Sequence, residues 1–207
     1  GYRGLDTFII STELLKEVVD EPEIADRFLG VIDHESDRMT HLISELLELS
    51  RIDSRQIKLS LAPIDLTELV ERSVFEHQIL ADKNNQCLEF TGDEQPYYIL
   101  ADETRVEQVL RNLITNAIKY TKEGHIRLGY RYEAGGLYMY CEDTGVGIPK
   151  EQQSSIFERF VKLNDFKPGL GLGLPLCRAL CLRLGGNVVL DTSYPGPGAR
   201  FVVKLPL

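Results

Sequence analysis

Three groups of residues in this chain have the types and spacing needed to hold a nucleotide. Asn112, Asn116, Lys119 and Tyr120 share one helical run. Asp143-Thr-Gly-Val-Gly147 closes an apolar strand with a glycine turn. Gly169-Leu-Gly-Leu-Gly173 leads into a further helix at Leu174. A carboxylate can read an adenine amino group. Glycine backbone, lacking Cβ atoms, can approach phosphates closely. Amide oxygens are acceptable ligands for a hard magnesium ion, and a lysine can meet phosphate charge. Either glycine-rich stretch alone is a weak signal. The three elements in this order are a specific one.

Each element also has a plainer reading. On the helix of Asn112, the residues Val106, Val109, Leu110, Leu113 and Ala117 share an apolar stripe, and Asn112, Asn116, Lys119 and Tyr120 fall on the adjoining face. That face could simply be solvated. Asparagine is a poor mid-helix residue because its side chain competes for backbone bonds. Two of them one turn apart, roughly 5–6 Å between Cβ atoms, can converge on one ligand. Asp143 could be an ordinary turn aspartate. Gly169, Gly171 and Gly173 precede a helix start, where free amides favour anions. The long connection from Phe157 to Pro168 has the length of a lid, and Lys162 within it carries a positive charge.

The pattern resembles the ATP-binding domain of sensor histidine kinases and their wider ATPase superfamily. The family's N box matches Arg105-Val-Glu-Gln-Val-Leu-Arg-Asn-Leu-Ile-Thr-Asn-Ala-Ile-Lys-Tyr-Thr121. Its G1 and G2 boxes match Asp143–Gly147 and Gly169–Gly173, its F box matches Ile156-Phe-Glu-Arg-Phe160, and its last glycine-containing strand matches Gly198-Ala-Arg-Phe201. The resemblance implies ATP and Mg2+ as ligands. It makes Asn116 the magnesium ligand with Asn112 in support, sets Tyr120 near the base, and gives Asp143 the adenine amino group, with Gly145 and Gly147 beneath the base. Lys162 stands where the family commonly has a phosphate-facing arginine; lysine keeps the charge and loses the planar fork. Leu170 replaces a usual Thr or Ser, and Pro175 occupies an early helical position.

These residues need elements to position them, and the chain reads as two parts. Residues 1–55 form a helical hairpin. Thr7–Val19 ends one helix, Asp20-Glu-Pro22 turns, and Glu23–Asp53 forms the next. Phe28, Ile32, Met39, Leu42, Leu46 and Leu49 make a heptad-like seam interrupted at Glu35. A lone hairpin covers such a stripe poorly, and two copies forming a four-helix bundle cover it well. Ile32-Asp-His-Glu-Ser-Asp-Arg-Met-Thr-His-Leu-Ile43 is similar to the second helix of the histidine kinase dimerisation and phosphotransfer domain. Residues 56–207 mix strands and helices. Ile57–Leu61, Cys87–Phe90, Tyr97–Leu100, His125–Tyr132, Leu137–Glu142, Asn187–Leu190 and Arg200–Lys204 read as strands. Asp65, with Glu68 three residues on, and Asp102 read as helix N-caps. The expected class is α+β: a hairpin followed by an α/β sandwich of the histidine kinase ATPase type, its antiparallel-rich sheet covered on one face by helices.

Composition narrows the rest. The chain has 207 residues and a net charge of −9, which disfavours nucleic acid as a partner. No apolar run reaches the ~18 residues of a membrane span. Four cysteines in a chain this size do not read as a disulfide framework. Cys177 and Cys181, one turn apart without a histidine or acid beside them, read as core residues. The expected compartment is cytoplasmic, with any membrane anchor in an upstream sensor region. The resemblance implies phosphoryl transfer from ATP to a histidine on the hairpin, then to an aspartate on a response regulator receiver domain. His34-Glu35 has the right dipeptide on the wrong helix; His41, His77 and His125 read as surface residues. The matching helix register puts the acceptor just ahead of Gly1. The alternative is a degenerate kinase that binds ATP and acts as a conformational or scaffold module.

Overall fold

A computed structural model describes residues 3–17, 22–54, 57–92, 95–133, 136–163 and 170–206. The chain divides into two compact units, Gly1–Ser50 and Arg51–Leu207. The first is helical, with α1 over Arg3–Glu17 and α2 over Pro22–Asp53. Pro22 opens α2, where its missing N–H costs nothing. The expected end of the first helix at Val18-Val19, and the turn residues Asp20 and Glu21, lie outside the described residues. Along α2 the expected seam residues Phe28, Ile32, Met39 and Leu42 are half-buried, as is Glu35 between them, Leu49 is buried, and Leu46 is exposed. Glu35 therefore occupies a seam position. Ile43 and Leu47, off the seam, are more than half exposed, and Leu5, Ile9, Ile10 and Leu14 of α1 are exposed as well.

The second unit holds β1 (Ala62–Asp65), α3 (Leu66–Lys83), β2 (Gln86–Phe90), β3 (Tyr98–Ala101), α4 (Glu103–Tyr120), β4 (Gly124–Glu133), β5 (Gly136–Asp143), α5 (Gly173–Arg183), β6 (Asn187–Leu190) and β7 (Arg200–Leu205). The main sheet runs β2-β4-β5-β7-β6. Only β2 and β4 pair in parallel; the other three pairings are antiparallel. β1 and β3 form a small antiparallel ribbon of their own. Together these elements make the chain α+β. No helix among the described residues is long and apolar enough to cross a membrane.

The strand expected at Ile57–Leu61 is not one; β1 starts at Ala62. Its alternation is real, but a strand forms only where a partner exists, and β3 reaches Ala62–Asp65 alone. Pro63 is tolerated because this ribbon has free edges. The other strands and both N-caps lie where the sequence places them, within a residue or two.

α4 is the central helix, with neighbours in α3, α5, β4 and β5. Its expected stripe is buried, and so are Gln108, Ile114 and Ile118. The wider arc follows from packing against helices on both sides as well as the sheet. Cys177 and Cys181 of α5 are fully buried in this layer. Across the opposite sheet face runs a row of alternating charge, Glu89, Arg127, Glu142, Arg200 and Asp191, one residue from each strand or its end. Arg127 lies 3.8 Å from Glu142, Arg200 donates to Glu142 at 2.7 Å, and Arg200 lies 3.4 Å from Asp191. Opposite charges on neighbouring strands make this face compatible with water.

Asp102 starts α4 and does more than cap it. Its Oδ1 accepts from the Arg105 N–H at 3.2 Å, while Oδ2 accepts from the Ser60 N–H at 2.8 Å. Asp65 caps α3 through Glu68 alone. An N-cap is worth about 1 kcal/mol, and a hydrogen bond to a charged group about 1.5–3 kcal/mol. Asp102→Ala is expected to lower unfolding free energy about 2–4 kcal/mol, clearly more than Asp65→Ala. Urea denaturation of both variants checks this; equal losses would remove Ser60 from the account.

Candidate functional site

Strand alternation brings the functional carboxylate inward. On β5, Leu137, Met139, Cys141 and Asp143 share the face covered by helices, and all are buried. Asp143 is the last of them and only 6% exposed. Its Oδ1 accepts from the Gly145 N–H at 2.8 Å and lies 3.4 Å from the Ala199 N–H. Its own N–H donates to the Ala199 carbonyl at 2.9 Å. Two glycines make this fit possible. A Cβ on Gly198 would stand 2.1 Å from the Asp143 carbonyl oxygen, and one on Gly145 would stand 2.4 Å from the Tyr120 carbonyl oxygen.

Burial raises the Asp143 pKa above the ordinary carboxylate range; hydrogen bonds from Gly145 and Ala199, and the nearby Thr121 hydroxyl, offset only part of that. The site therefore holds a buried acceptor whose charge is only partly compensated. Beside it, burial and the adjacent Asp143 and Glu142 charges push the Cys141 thiol far up, so it stays a neutral wall.

One cavity gathers Leu113, Asn116, Ala117 and Tyr120 of α4 with Cys141 and Asp143 of β5. Gly147, Ile148, Leu163, Leu174, Ala199 and Phe201 complete it. It is narrow, about 30 Å³, which is room for a water or two rather than a purine. A ring entering here must displace Ile148, Leu163 or Leu174 at the rim. Phe157 packs edge-on against Phe201 at 6.2 Å between centroids and carries Arg178 above its ring at 5.7 Å.

Asn112 and Asn116 are half-buried and face the start of α5. A Cβ on Gly173 would lie 3.6 Å from Asn112 Oδ1 and 3.7 Å from Asn116 Nδ2. The first turn of α5 has no side-chain cap: Leu172 at the N-cap makes no such bond, and Pro175 carries no N–H. That end of α5 is thus open to an anion. Gly171 takes a left-handed φ of 73°, and its carbonyl accepts from the Phe160 N–H at 3.1 Å. Lys119 sits with its ammonium 4.9 Å from the Tyr120 ring centroid.

The structure thus brings together Asn112, Asn116, Tyr120, Asp143, Gly147, Gly173 and Leu174. Gly145 lies directly behind, and Lys119 extends from the same helix end. Lys162 is half-buried and adjoins Leu163 but does not line the cavity. Gly169 lies outside the described residues. Sequence reasoning missed Cys141, Ile148, Ala199 and Phe201 as lining residues. The alternation that places Asp143 inward also places Cys141 inward, two residues earlier. Ala199 and Phe201 stand in the same relation on and before β7.

A wider concavity, about 620 Å³, lies instead on the open sheet face among Glu89, Arg127, Glu142 and Arg200. Those charges pair with one another across the strands.

A carboxylate with a raised folded-state pKa binds protons more tightly folded than unfolded. It costs stability above that pKa, and the cost vanishes as acid protonates it. Asp143→Asn is therefore expected to raise the melting temperature of the ligand-free chain at pH 7. The gain over the parent should shrink as pH falls toward 4. Calorimetric melts across that range check it; a variant less stable than the parent at pH 7 would contradict the desolvation account.

Known proteins share both the fold and these motifs. The family described as Histidine kinase-, DNA gyrase B-, and HSP90-like ATPase matches residues 101–207, and the His Kinase A (phospho-acceptor) domain matches residues 5–55. The chain is 36% identical over 198 residues to the alginate biosynthesis sensor protein KinB of Pseudomonas aeruginosa, covering 94% of this chain and 33% of that protein. It is 31% identical over 202 residues to the sensor-like histidine kinase SenX3 of Mycolicibacterium smegmatis, covering 95% and 52%. It thus spans a third to a half of these relatives. Full-length ShkA, solved in complex with AMPPNP, superposes with a TM-score of 0.78 at 30% identity, over 89% of this chain and 39% of that one. The catalytic domain of histidine kinase ThkA gives 0.64 at 28% identity, over 71% and 95%. The chain belongs to the histidine kinase-, DNA gyrase B-, and HSP90-like ATPase family, as the core of a sensor histidine kinase: a phospho-acceptor-type hairpin followed by an ATPase domain.

Proposed function

We propose that residues 56–207 bind Mg-ATP in the cavity of Asp143 and present its terminal phosphate for transfer to a histidine on the first arm of the phospho-acceptor hairpin, none of this chain's four histidines being that acceptor. The observation that carries this reading is Asp143: a buried acceptor, its charge only partly compensated, facing the same cavity as Asn116 and Tyr120. The adenine amino group supplies a further donor. Guanine presents a carbonyl at that position, and two acceptors facing each other leave a costly unpaired contact. Gly145 and Gly147 keep the floor beneath the base free of side chains. Tyr120 closes one side of the base pocket.

The phosphates then extend toward the uncapped start of α5, where Gly171, Gly173 and Leu174 present backbone. Lys119 and Lys162 add positive charge around them, with Gly169 on the approach to the same loop. Bound magnesium would supply charge to the phosphates and hold them in register. Among the described residues no cluster of three histidines, cysteines or acids could hold a metal. Amides fit an ion that arrives with phosphates and keeps most of its water. Asn116 is the ligand on this reading and Asn112 supports it. Its amide shows Nδ2 to Gly173 here, and a half-turn of that amide shows the oxygen.

The hairpin unit supports homodimerisation, since Ile43, Leu46 and Leu47 of α2 and Ile9 and Ile10 of α1 stay exposed. Burying one such side chain is worth roughly 1.5–3 kcal/mol. A response regulator receiver domain is the onward acceptor on this reading, and nucleic acid is not a partner. All four cysteines are free thiols, in keeping with a cytoplasmic site of action and any membrane anchor lying upstream.

Two measurements test the proposal. Calorimetry at pH 7.5 is expected to show ATP binding at least tenfold tighter than GTP, the worth of about 1.4 kcal/mol. Asn116→Ala should erase most of the tightening that magnesium gives ATP while the fold persists. Equal affinity for ATP and GTP, or an undiminished magnesium effect, would sink the assignment of the residue concerned.

The second measurement concerns the acceptor. Phosphoryl transfer needs a nucleophile positioned in line with the phosphate. His34 and His41 ride on α2, the second arm of the hairpin, and the His77 ring sits 2.8 Å from the Ser73 carbonyl on its own helix. His125 is exposed on β4. None of the four is the acceptor on this reading. This chain should bind labelled ATP and form no acid-labile phosphohistidine. Labelling that disappears in His34→Gln would overturn that. Failure to label a version carrying a His-Glu pair on the first arm would favour the degenerate, scaffold-type kinase.

A further inference from the structure

We propose that Gln86 is a positioning residue for the nucleotide cavity, acting through the last turn of α4. The inference rests on the adenine-reading role of Asp143. Asn85, with a left-handed φ of 55°, turns the chain out of α3 and starts β2 at Gln86. Asparagine tolerates that conformation better than most residues. Gln86 pairs in parallel with Gly124 at the end of the sheet where β5 delivers Asp143. Its side chain is 4% exposed. Nε2 donates to the Ile118 carbonyl at 2.8 Å and to the Thr121 carbonyl at 2.6 Å. Two carbonyls on one nitrogen fix the amide's sense, since the turned amide would set oxygen against oxygen.

These bonds fall where a helix has none of its own. The last carbonyls of α4 lack intrahelical partners. Ile118 is served by Gln86, and Tyr120 accepts from the Val146 N–H at 3.3 Å. The turn carrying Tyr120 and Thr121 is therefore held from two sides, by β2 and by the loop after Asp143. Thr121 is 3% exposed. Gln86 thus stands at one end of a short chain: amide to the Ile118 and Thr121 carbonyls on either side of Tyr120, and Tyr120 carbonyl to the Val146 N–H in the turn that follows Asp143.

An apolar side chain of the same length would spare the unpartnered Gln86 Oε1 but would leave the buried Ile118 and Thr121 carbonyls without this donor. The amide therefore caps the end of α4, and through that cap it sets the register of Tyr120 against Asp143.

The test compares ADP with purine riboside 5′-diphosphate, which lacks the 6-amino group. The parent should favour ADP about tenfold, the worth of one hydrogen bond to a charged acceptor. Gln86→Met keeps size and removes both donations; it should cut that preference to about threefold or less. Gln86→Leu also removes both donations with a shorter side chain and should do likewise, so it decides the matter if Gln86→Met does not fold. A role in stability alone would change melting temperature, or weaken both ligands equally, and leave the ratio intact. An unchanged ratio in the folded variants overturns the inference while the adenine assignment stands. A parent with no preference for ADP overturns the assignment and the inference together.

Discussion

The second unit is organised around one buried carboxylate at the end of a central strand. Asp143 must be desolvated to face the cavity, and desolvation disfavours its charge. Three separate segments converge to offset that cost. The turn after it supplies the Gly145 N–H, the approach to β7 supplies Ala199, and the end of α4 supplies Thr121. Two of them come closer than a side chain allows, which is why Gly145 and Gly198 sit where a Cβ would collide with backbone.

The sheet's two faces answer different demands. Inward residues of β5 read Leu137, Met139, Cys141 and then Asp143, so apolar packing leads directly to the polar site. The outward residues carry the charge row, with Arg200 also lying 4.5 Å from the Tyr194 ring centroid. Tyr194 belongs to the loop that brings Gly198 against Asp143. Glu142 is buried beneath the Arg127 and Arg200 guanidinium groups, while its neighbour Asp143 is buried among backbone amides with no cation beside it in the cavity lining. Adjacent acids on one strand thus get opposite environments from strand alternation alone.

Most of this architecture was legible because it is local. The Asp102 and Asp65 caps, the apolar stripe of α4 and the alternation of β4 and β5 need only near neighbours in sequence. The strand read at Ile57–Leu61 failed because a short alternating run does not say where its partner ends. The candidate site was legible from glycine spacing and from two asparagines one turn apart. Its supporting parts were not. Gln86 serves carbonyls more than thirty residues away, and nothing in its own neighbourhood marks it as other than a strand residue. Periodicity reports which way a side chain points; it is silent on what arrives from the far end of the chain.

The narrowness of the cavity is consistent with this arrangement. A wide empty cavity would forfeit dispersion contacts throughout its lining. Here Ile148, Leu163 and Leu174 line the narrow space beside Asp143, so the ligand-free chain keeps apolar packing around it. On the proposed reading, binding reverses that balance: apolar contacts are given up, and the carboxylate gains a donor. The apolar rim sets a cost that nearly any ring would incur equally. On the proposed reading the return depends on an exocyclic donor placed at Asp143. Selectivity then comes from the one carboxylate in the wall, while the apolar majority decides whether a flat ring fits. A site built this way discriminates best when its acceptor cannot shift to suit a poorer ligand, and that rigidity is what the convergence of three segments on Asp143 provides.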